Sequence, residues 1–180
     1  MERAVVSLVD RAREGDADAF GLLYDRFHPE ILRYLTHQLR NADAAEDLAS
    51  QVFLKAWQAI PRYEHRGVPF KAWLYRMAKN QVIDTFRKQR PTTDLEGIEI
   101  AVDSEAEDHV LAQERTAYLR ALLDRLTPDH REVLTLRFMM EKSAAEIGEI
   151  MGRKEVTVRG LQMRALRSLR KEIETAGGMP

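Results

Sequence analysis

Residues 143–171 read SAAEIGEIMGRKEVTVRGLQMRALRSLRK. Ser143 followed three residues later by Glu146 is the pattern in which each side chain caps the other residue's backbone N–H, so a helix starts here. Ala145, Ile147, Ile150 and Met151 line its inner side, and Gly152 stops it. After the short turn GRKE, a longer helix runs from about Glu155 to Thr175, with Val158, Leu161, Ala165 and Leu169 turned inward. A short capped helix, a tight turn and a longer basic helix are the plan of a helix-turn-helix. Lys154, Thr157, Arg159, Gly160, Met163, Arg164 and Arg167 are left facing outward. The first turns of such a helix enter the major groove, where Arg forks onto guanine and Met lies against a thymine methyl. Gly160 lets the backbone come close. Farther along, Arg167, Arg170 and Lys171 suit phosphates, which add salt-dependent affinity without sequence information. The competing reading is an ordinary helical hairpin with a solvated basic face.

The chain N-terminal to this motif is also helical. TPDHRE offers Thr127 as an N-cap and Pro128 at the first helical position, opening a helix whose apolar residues are Val133, Leu134, Leu136 and Phe138. Before it, Leu111, Leu119, Leu122, Leu123 and Leu126 mark a helix in a unit that begins near Val110 and reaches residue 176. Residues 91–118 hold eight acidic residues and one basic one. Within them, 91–109 is Thr-, Ser- and Gly-containing and poor in large apolar residues, which reads as an acidic flexible linker. IEIAV in this linker has the look of a short strand, but nothing else in the chain would pair with it.

A second basic block lies at 53–90, with nine basic and two acidic residues, in a chain whose net charge is only −1. Its core is FKAWLYRMAKNQVIDTFRKQR, from Phe70 to Arg90. Phe70, Leu74, Met77, Ala78 and Val82 form one apolar stripe, while Lys71, Tyr75, Lys79 and Arg87 recur on another, which is expected to stay basic and aromatic. Before it, PRYEHRGVP is a loop with Pro at both ends. Basic residues interleaved with Tyr63, Trp73 and Tyr75 suit single strands or splayed bases, because base–aromatic stacking contributes ~1–3 kcal/mol per base. Asn80 lies four residues after Arg76 on the same face, and its amide is able to read the edge of a base that has left the stack. Trp73 as a plain core residue is the alternative.

The first 60 residues add three helices. Gly15 ends the first and Asp16 caps the second, which carries Phe20, Leu23, Tyr24 and Phe27. Pro29 allows a restart, and Ile31, Leu32, Leu35 and Leu39 continue the apolar face. NADAAED caps the third, which runs through Leu48, Val52, Phe53, Ala56 and Trp57 and stops near Pro61. The expected fold is therefore all-α: a four-helix unit over 1–90, the linker 91–109, and a helix-turn-helix unit over 110–176.

Several function classes are set aside. There is no cysteine among the 180 residues, so disulfides, thiolate metal sites and cysteine nucleophiles are excluded. The five His are scattered without the i, i+4 spacing of a helical metal site, and no HExxH, Walker or dinucleotide-binding pattern occurs. No catalytic residue, metal site or cofactor is expected, and the chain is not expected to be an enzyme. The opening MERAVVSLVDRARE is broken by charges and reads as no signal peptide, and no apolar run approaches a membrane span, so a cytoplasmic protein without membrane insertion is expected.

Four stretches together carry a family resemblance: AEDLASQVFLKAW (45–57), GVPFKAWLYRMAKNQVIDTFRKQR (67–90), LTPDHREVLTLRF (126–138) and the helix-turn-helix of 143–171. In this order they resemble the extracytoplasmic-function, or group four, sigma factors of bacterial RNA polymerase. The resemblance implies sigma region 2, which binds core polymerase and the −10 element, and sigma region 4, which binds the −35 element, without the middle domain of larger sigma factors. It implies that Tyr63 and Asn80 hold a flipped base of the non-template strand, with Trp73, Arg76 and Lys79 nearby. It gives Arg159, Gly160, Met163 and Arg164 as −35 readers and Ser143 as a phosphate contact. Asp47, Leu48, Gln51 and Phe53 would meet the clamp helices of the largest polymerase subunit, with the flap as a further contact; for Phe53 a purely core role is the alternative. The acidic linker would pass near the RNA exit path, and an anti-sigma factor would be the regulator. There are departures. Ser50-Gln51 stands where many relatives carry Gln-Glu, which implies one acidic polymerase contact fewer and weaker core affinity. Gly160, Leu161 and Gln162 depart from the Ser-Arg-hydrophobic run of some members, so their −35 sequence does not carry over. No added C-terminal sensory domain is expected. Two other readings stay open: a DNA-binding regulator using only its second unit, and a small single-strand- or RNA-binding protein.

Overall fold

The computed structural model describes residues 2–39, 41–65, 67–88, 117–119 and 121–177. The linker, the doubtful strand IEIAV and the expected start of the second unit at Val110 and Leu111 lie outside these residues. The chain divides into two units, Met1–Ile100 and Ala101–Pro180. The described residues are helical in both, with no strand.

The first unit is a bundle of α1 (Glu2–Arg13), α2 (Ala17–Leu39), α3 (Ala42–Ala59) and α4 (Phe70–Lys88), with a 3₁₀ turn at Ile60–Arg62. Each boundary has a local cause. Gly15 adopts φ 93°, in the left-handed region that only glycine enters without strain. Asp16 then accepts from the backbone N–H of Ala19 at 2.9 Å and from Arg11 Nε at 2.8 Å. Asn41 caps α3 by accepting from Ala44 N–H at 2.9 Å, and Pro61 takes an early position of the 3₁₀ turn that follows.

Pro29 does not restart the chain; α2 is one helix through it. The ring is exposed, while Leu23, Phe27, Ile31, Tyr34 and Leu35 are buried along the opposite side. Burying each large apolar side chain contributes about 1.5–3 kcal/mol, so five of them outweigh the ~3 kcal/mol cost of one interior proline. α4 lays Phe70, Leu74, Ala78 and Val82 onto this core, as their four-residue spacing predicts.

In the second unit, α5 (described at 117–119 and 121–124) leads to α6 (Pro128–Leu134), a π turn (Thr135–Met139), α7 (Ala144–Met151) and α8 (Glu155–Thr175). Thr127 caps α6 and Pro128 begins it, as expected. The π turn is a departure: Met140 N–H bonds the carbonyl of Thr135 at 3.1 Å, five residues back. The widened turn keeps Leu136 and Met140 buried but turns Phe138 outward, 59% exposed. Phe138 is thus not the core residue that regular helical spacing implied. Ala145 also proves exposed rather than inward. Val133, Leu134, Leu136, Ile147, Ile150, Val158, Leu161 and Ala165 make this unit's core, joined by Leu122 from α5.

Candidate nucleic-acid interface

α8 is presented by a turn that leaves little freedom. The Ser143 hydroxyl accepts from Glu146 N–H at 3.2 Å, and Ser143 N–H donates to Glu146 Oε2 at 2.9 Å, completing the reciprocal cap. Gly152 ends α7 at φ 67°. Arg153 N–H donates to the Gly148 carbonyl at 2.8 Å, and the Arg153 guanidinium pairs with Asp129 of α6. α8 is packed through Val158, Leu161 and Ala165. Its opposite side exposes Lys154, Thr157, Arg159, Met163, Arg164 and Arg167, with Gly160 half-buried among them. A Cβ at Gly160 would meet nothing nearer than Arg164 Nη1 at 3.9 Å, so this position is an open notch rather than a backbone necessity. Val156, 73% exposed at the start of α8, belongs to the same surface and was missed because its valine reads as core. Three groups are already engaged: the Ser143 hydroxyl in its cap, Arg159, whose guanidinium donates to Glu155, and Arg170, whose Nε donates to Glu174 at 2.9 Å.

The second basic block differs from its sequence-based picture. Tyr63 is 5% exposed, and its hydroxyl donates to the Val68 carbonyl at 2.7 Å, closing the loop that precedes α4. Its ring sits 4.9 Å from that of Trp73 and 5.6 Å from that of Phe70. Burial pushes the phenol up to about 12, with the charge of Arg13 opposing it. Tyr63 is therefore the floor of an aromatic cluster rather than a free stacking platform. Tyr75 is likewise not on an exposed face: it is fully buried against Tyr34, ring centroids 5.1 Å apart. Its hydroxyl donates to Glu30 Oε1 at 2.9 Å, and Lys71 Nζ approaches the same oxygen at 3.1 Å. Glu30, on the distant α2, gave no signal in sequence. The face that remains open carries Asn80, exposed, beside half-buried Trp73, Arg76 and Lys79.

On α3, Asp47 and Gln51 are exposed one turn apart. Leu48 and Phe53 are 6% and 3% exposed, so their contribution is mainly to packing. Directly after Phe53, Leu54 is turned outward, 59% exposed, and sequence reading missed it. Leu54 borders an apolar groove between α2 and α3, lined also by Phe20, Tyr24, Phe53 and Trp57. Tyr24 meets Phe53 edge-on at 4.8 Å and Phe20 meets Trp57 at 4.9 Å, so the groove has rigid aromatic walls. Among the described residues no group of three or more His, Asp or Glu is placed to hold a metal ion, and no helix is long and apolar enough to cross a membrane.

Comparison with known proteins matches this geometry unit by unit. The family described as sigma-70 region 2 matches residues 23–92, and sigma-70 region 4 matches residues 122–171. The ECF RNA polymerase sigma factor BldN of Streptomyces coelicolor is 37% identical over 169 residues, covering 92% of this chain; the chain spans only 64% of that protein's length. The ECF RNA polymerase sigma factor SigW of Bacillus subtilis is 30% identical over 185 residues, covering 96% of this chain and 98% of its own. Among solved structures, that of CnrH in complex with the cytosolic domain of CnrY superposes with a TM-score of 0.70 at 23% identity, covering 96% of this chain and 98% of that one; this likeness speaks for the fold.

Proposed function

The chain belongs to the extracytoplasmic-function sigma factor family, and from that premise we propose how its two units divide the work. The protein directs promoter-specific transcription initiation: it binds core RNA polymerase, recognises the −35 and −10 elements and helps open the DNA. The observation that carries this is the pairing, in one chain, of a helical bundle matched by sigma region 2 with a capped helix-turn-helix matched by region 4. α8 reads the −35 element through Arg159, Met163 and Arg164, with Lys154, Thr157 and Gly160 beside them and Ser143 and Arg167 at phosphates. The open face of α4 takes an unpaired base at Asn80. Trp73, Arg76 and Lys79 flank it, and Tyr63 supports the pocket from below. Because Tyr63 is buried, the base meets the rim of the aromatic cluster rather than its centre.

The exposed side of α3, with Asp47, Gln51 and Leu54, faces the polymerase clamp, while Leu48 and Phe53 set its shape. No covalent chemistry falls to this chain, and it needs no cofactor; contacts with DNA offset the cost of unpairing a few bases. It works in the cytoplasm with the polymerase. An anti-sigma factor regulates it by covering the α2–α3 groove or α8.

The test is co-elution of the purified protein with bacterial core polymerase in the absence of DNA, competed by a primary sigma factor, followed by transcription from promoters selected by the reconstituted holoenzyme. Stoichiometric co-elution and start-site-specific transcripts are expected. Tight, sequence-specific duplex binding by the free protein without any polymerase association would overturn the assignment in favour of a stand-alone regulator.

A further inference from the structure

Glu155 and Arg159 lie one helical turn apart at the start of α8. Arg159 Nε and Nη2 both donate to Glu155 Oε1, at 3.1 and 2.6 Å. A guanidinium has five N–H donors in a rigid fork. Two are taken by the carboxylate, both on the Nε side. The three that remain are the second hydrogen on Nη2 and the two on Nη1. These form the end of the fork, the edge whose parallel donors match O6 and N7 of guanine.

An unclamped arginine in this place would behave differently. Arg159 is well exposed, and a free arginine side chain carries about 2 kcal/mol of rotamer entropy. It would turn to whichever phosphate lay nearest. Glu155 restricts that choice in two ways: it holds the Nε edge, and its negative charge weakens the pull of phosphates on this turn of the helix. A simpler role is available to Glu155, as an acid in the first turn of a helix and one half of an exposed i, i+4 pair. That role would affect stability slightly and base selection not at all. In contact with DNA the pair is partly dehydrated, and its geometry then matters more than it does in water.

We propose that Glu155 is a positioning residue that makes Arg159 a reader of guanine in the −35 element rather than a phosphate contact. This rests on α8 being the −35 helix. The experiment uses the holoenzyme reconstituted from core polymerase and the full chain, with duplex promoters selected by the wild type. First, Arg159→Ala locates the guanine whose identity ceases to matter. Affinity is then compared between guanine, 7-deazaguanine and the other bases at that position for wild type, Glu155→Gln and Glu155→Ala. The wild type is expected to discriminate about tenfold or more at that guanine. Discrimination is expected to fall several-fold in Glu155→Ala and less in Glu155→Gln, which keeps an acceptor oxygen. Binding to non-specific DNA is expected to strengthen in both, as a negative charge is lost, and discrimination at the other −35 positions to stay as it was. Unchanged discrimination at that guanine in both Glu155 variants would overturn the proposal while leaving the −35 assignment of α8 intact. A uniform loss on all sequences in Arg159→Ala would make Arg159 a phosphate contact and overturn the proposal, while the −35 assignment of α8 would still be read from Arg164→Ala.

Discussion

The Cβ that Gly148 lacks would lie 2.6 Å from the carbonyl oxygen of Arg153. That contact sets how closely α7 and the turn before α8 approach, and the same Arg153 returns its N–H to the Gly148 carbonyl at 2.8 Å. The obstructing atom is backbone, so no side-chain rotation relieves it. Gly148→Ala is expected to destabilise the second unit by about 1–3 kcal/mol, the usual cost of overpacking. Gly21 is the contrast: a helical glycine whose Cβ would meet nothing within 4 Å. Gly21→Ala is expected to stabilise the first unit by about 0.5–1 kcal/mol. Chemical denaturation of the two variants beside the wild type checks both signs.

Pro29 sits inside α2 with its ring exposed. It removes one backbone donor and crowds the carbonyl one turn earlier. Pro29→Ala is expected to raise unfolding stability by about 1–3 kcal/mol, read as a higher denaturant midpoint with an unchanged slope. A fall in stability would mean that α2 needs the bend that proline supplies.

Tyr63 and Asn80 should separate packing from base recognition. Tyr63→Phe removes the hydroxyl that donates to the Val68 carbonyl at 2.7 Å and keeps the ring. A loss of about 1 kcal/mol in stability is expected, with only a slight effect on promoter opening. Asn80→Ala is expected to slow promoter opening several-fold, with core polymerase binding unchanged. Permanganate reactivity of unpaired thymines and a separate core-binding titration distinguish the two effects. An equal loss of both in Asn80→Ala would remove Asn80 from the base pocket.

Arg164 and Arg167 are exposed on α8. If Arg167 meets a phosphate, Arg167→Ala weakens holoenzyme binding to all promoters alike and lowers the slope of log affinity against log salt by about one. Arg164→Ala is expected instead to change preference at particular −35 positions. Salt titrations on a consensus and a scrambled −35 element check both outcomes.

The carboxyl of Asp16 is held below the usual carboxylate range, first by the N–H of Ala19 and then by its bond to Arg11. A depressed folded-state value means the unfolded chain takes up the proton first as pH falls. The stabilisation is therefore present above the ordinary Asp range, near 3.8, and is lost as pH drops through the lower folded value. Asp16→Asn keeps a capping oxygen but cannot titrate. It is expected to flatten this part of the stability–pH curve between pH 5 and the acid limit, as followed by thermal melts.

Local chemistry in the sequence was enough to determine much of this protein. Asp16, Asn41, Thr127 and Ser143 start helices, Gly15 and Gly152 stop them, and α8 begins after the turn that Gly152 opens. The all-α class and the basic outer side of α8 were legible for the same reason: capping, turn conformation and helical periodicity depend on residues within about four positions of one another. Other features were decided only when the helices packed. Tyr75 looked like part of a basic and aromatic face until Glu30, forty-five residues away, took its hydroxyl. Tyr63 looked free until Phe70 and Trp73 closed over it. Phe138 fitted a helical stripe until the π turn rotated it outward. The continuity of α2 across Pro29 and the need for Gly148 also belong to this group. Each depends on which surface of a distant element lies opposite, and burial and close approach are properties of that pairing rather than of the local residue pattern.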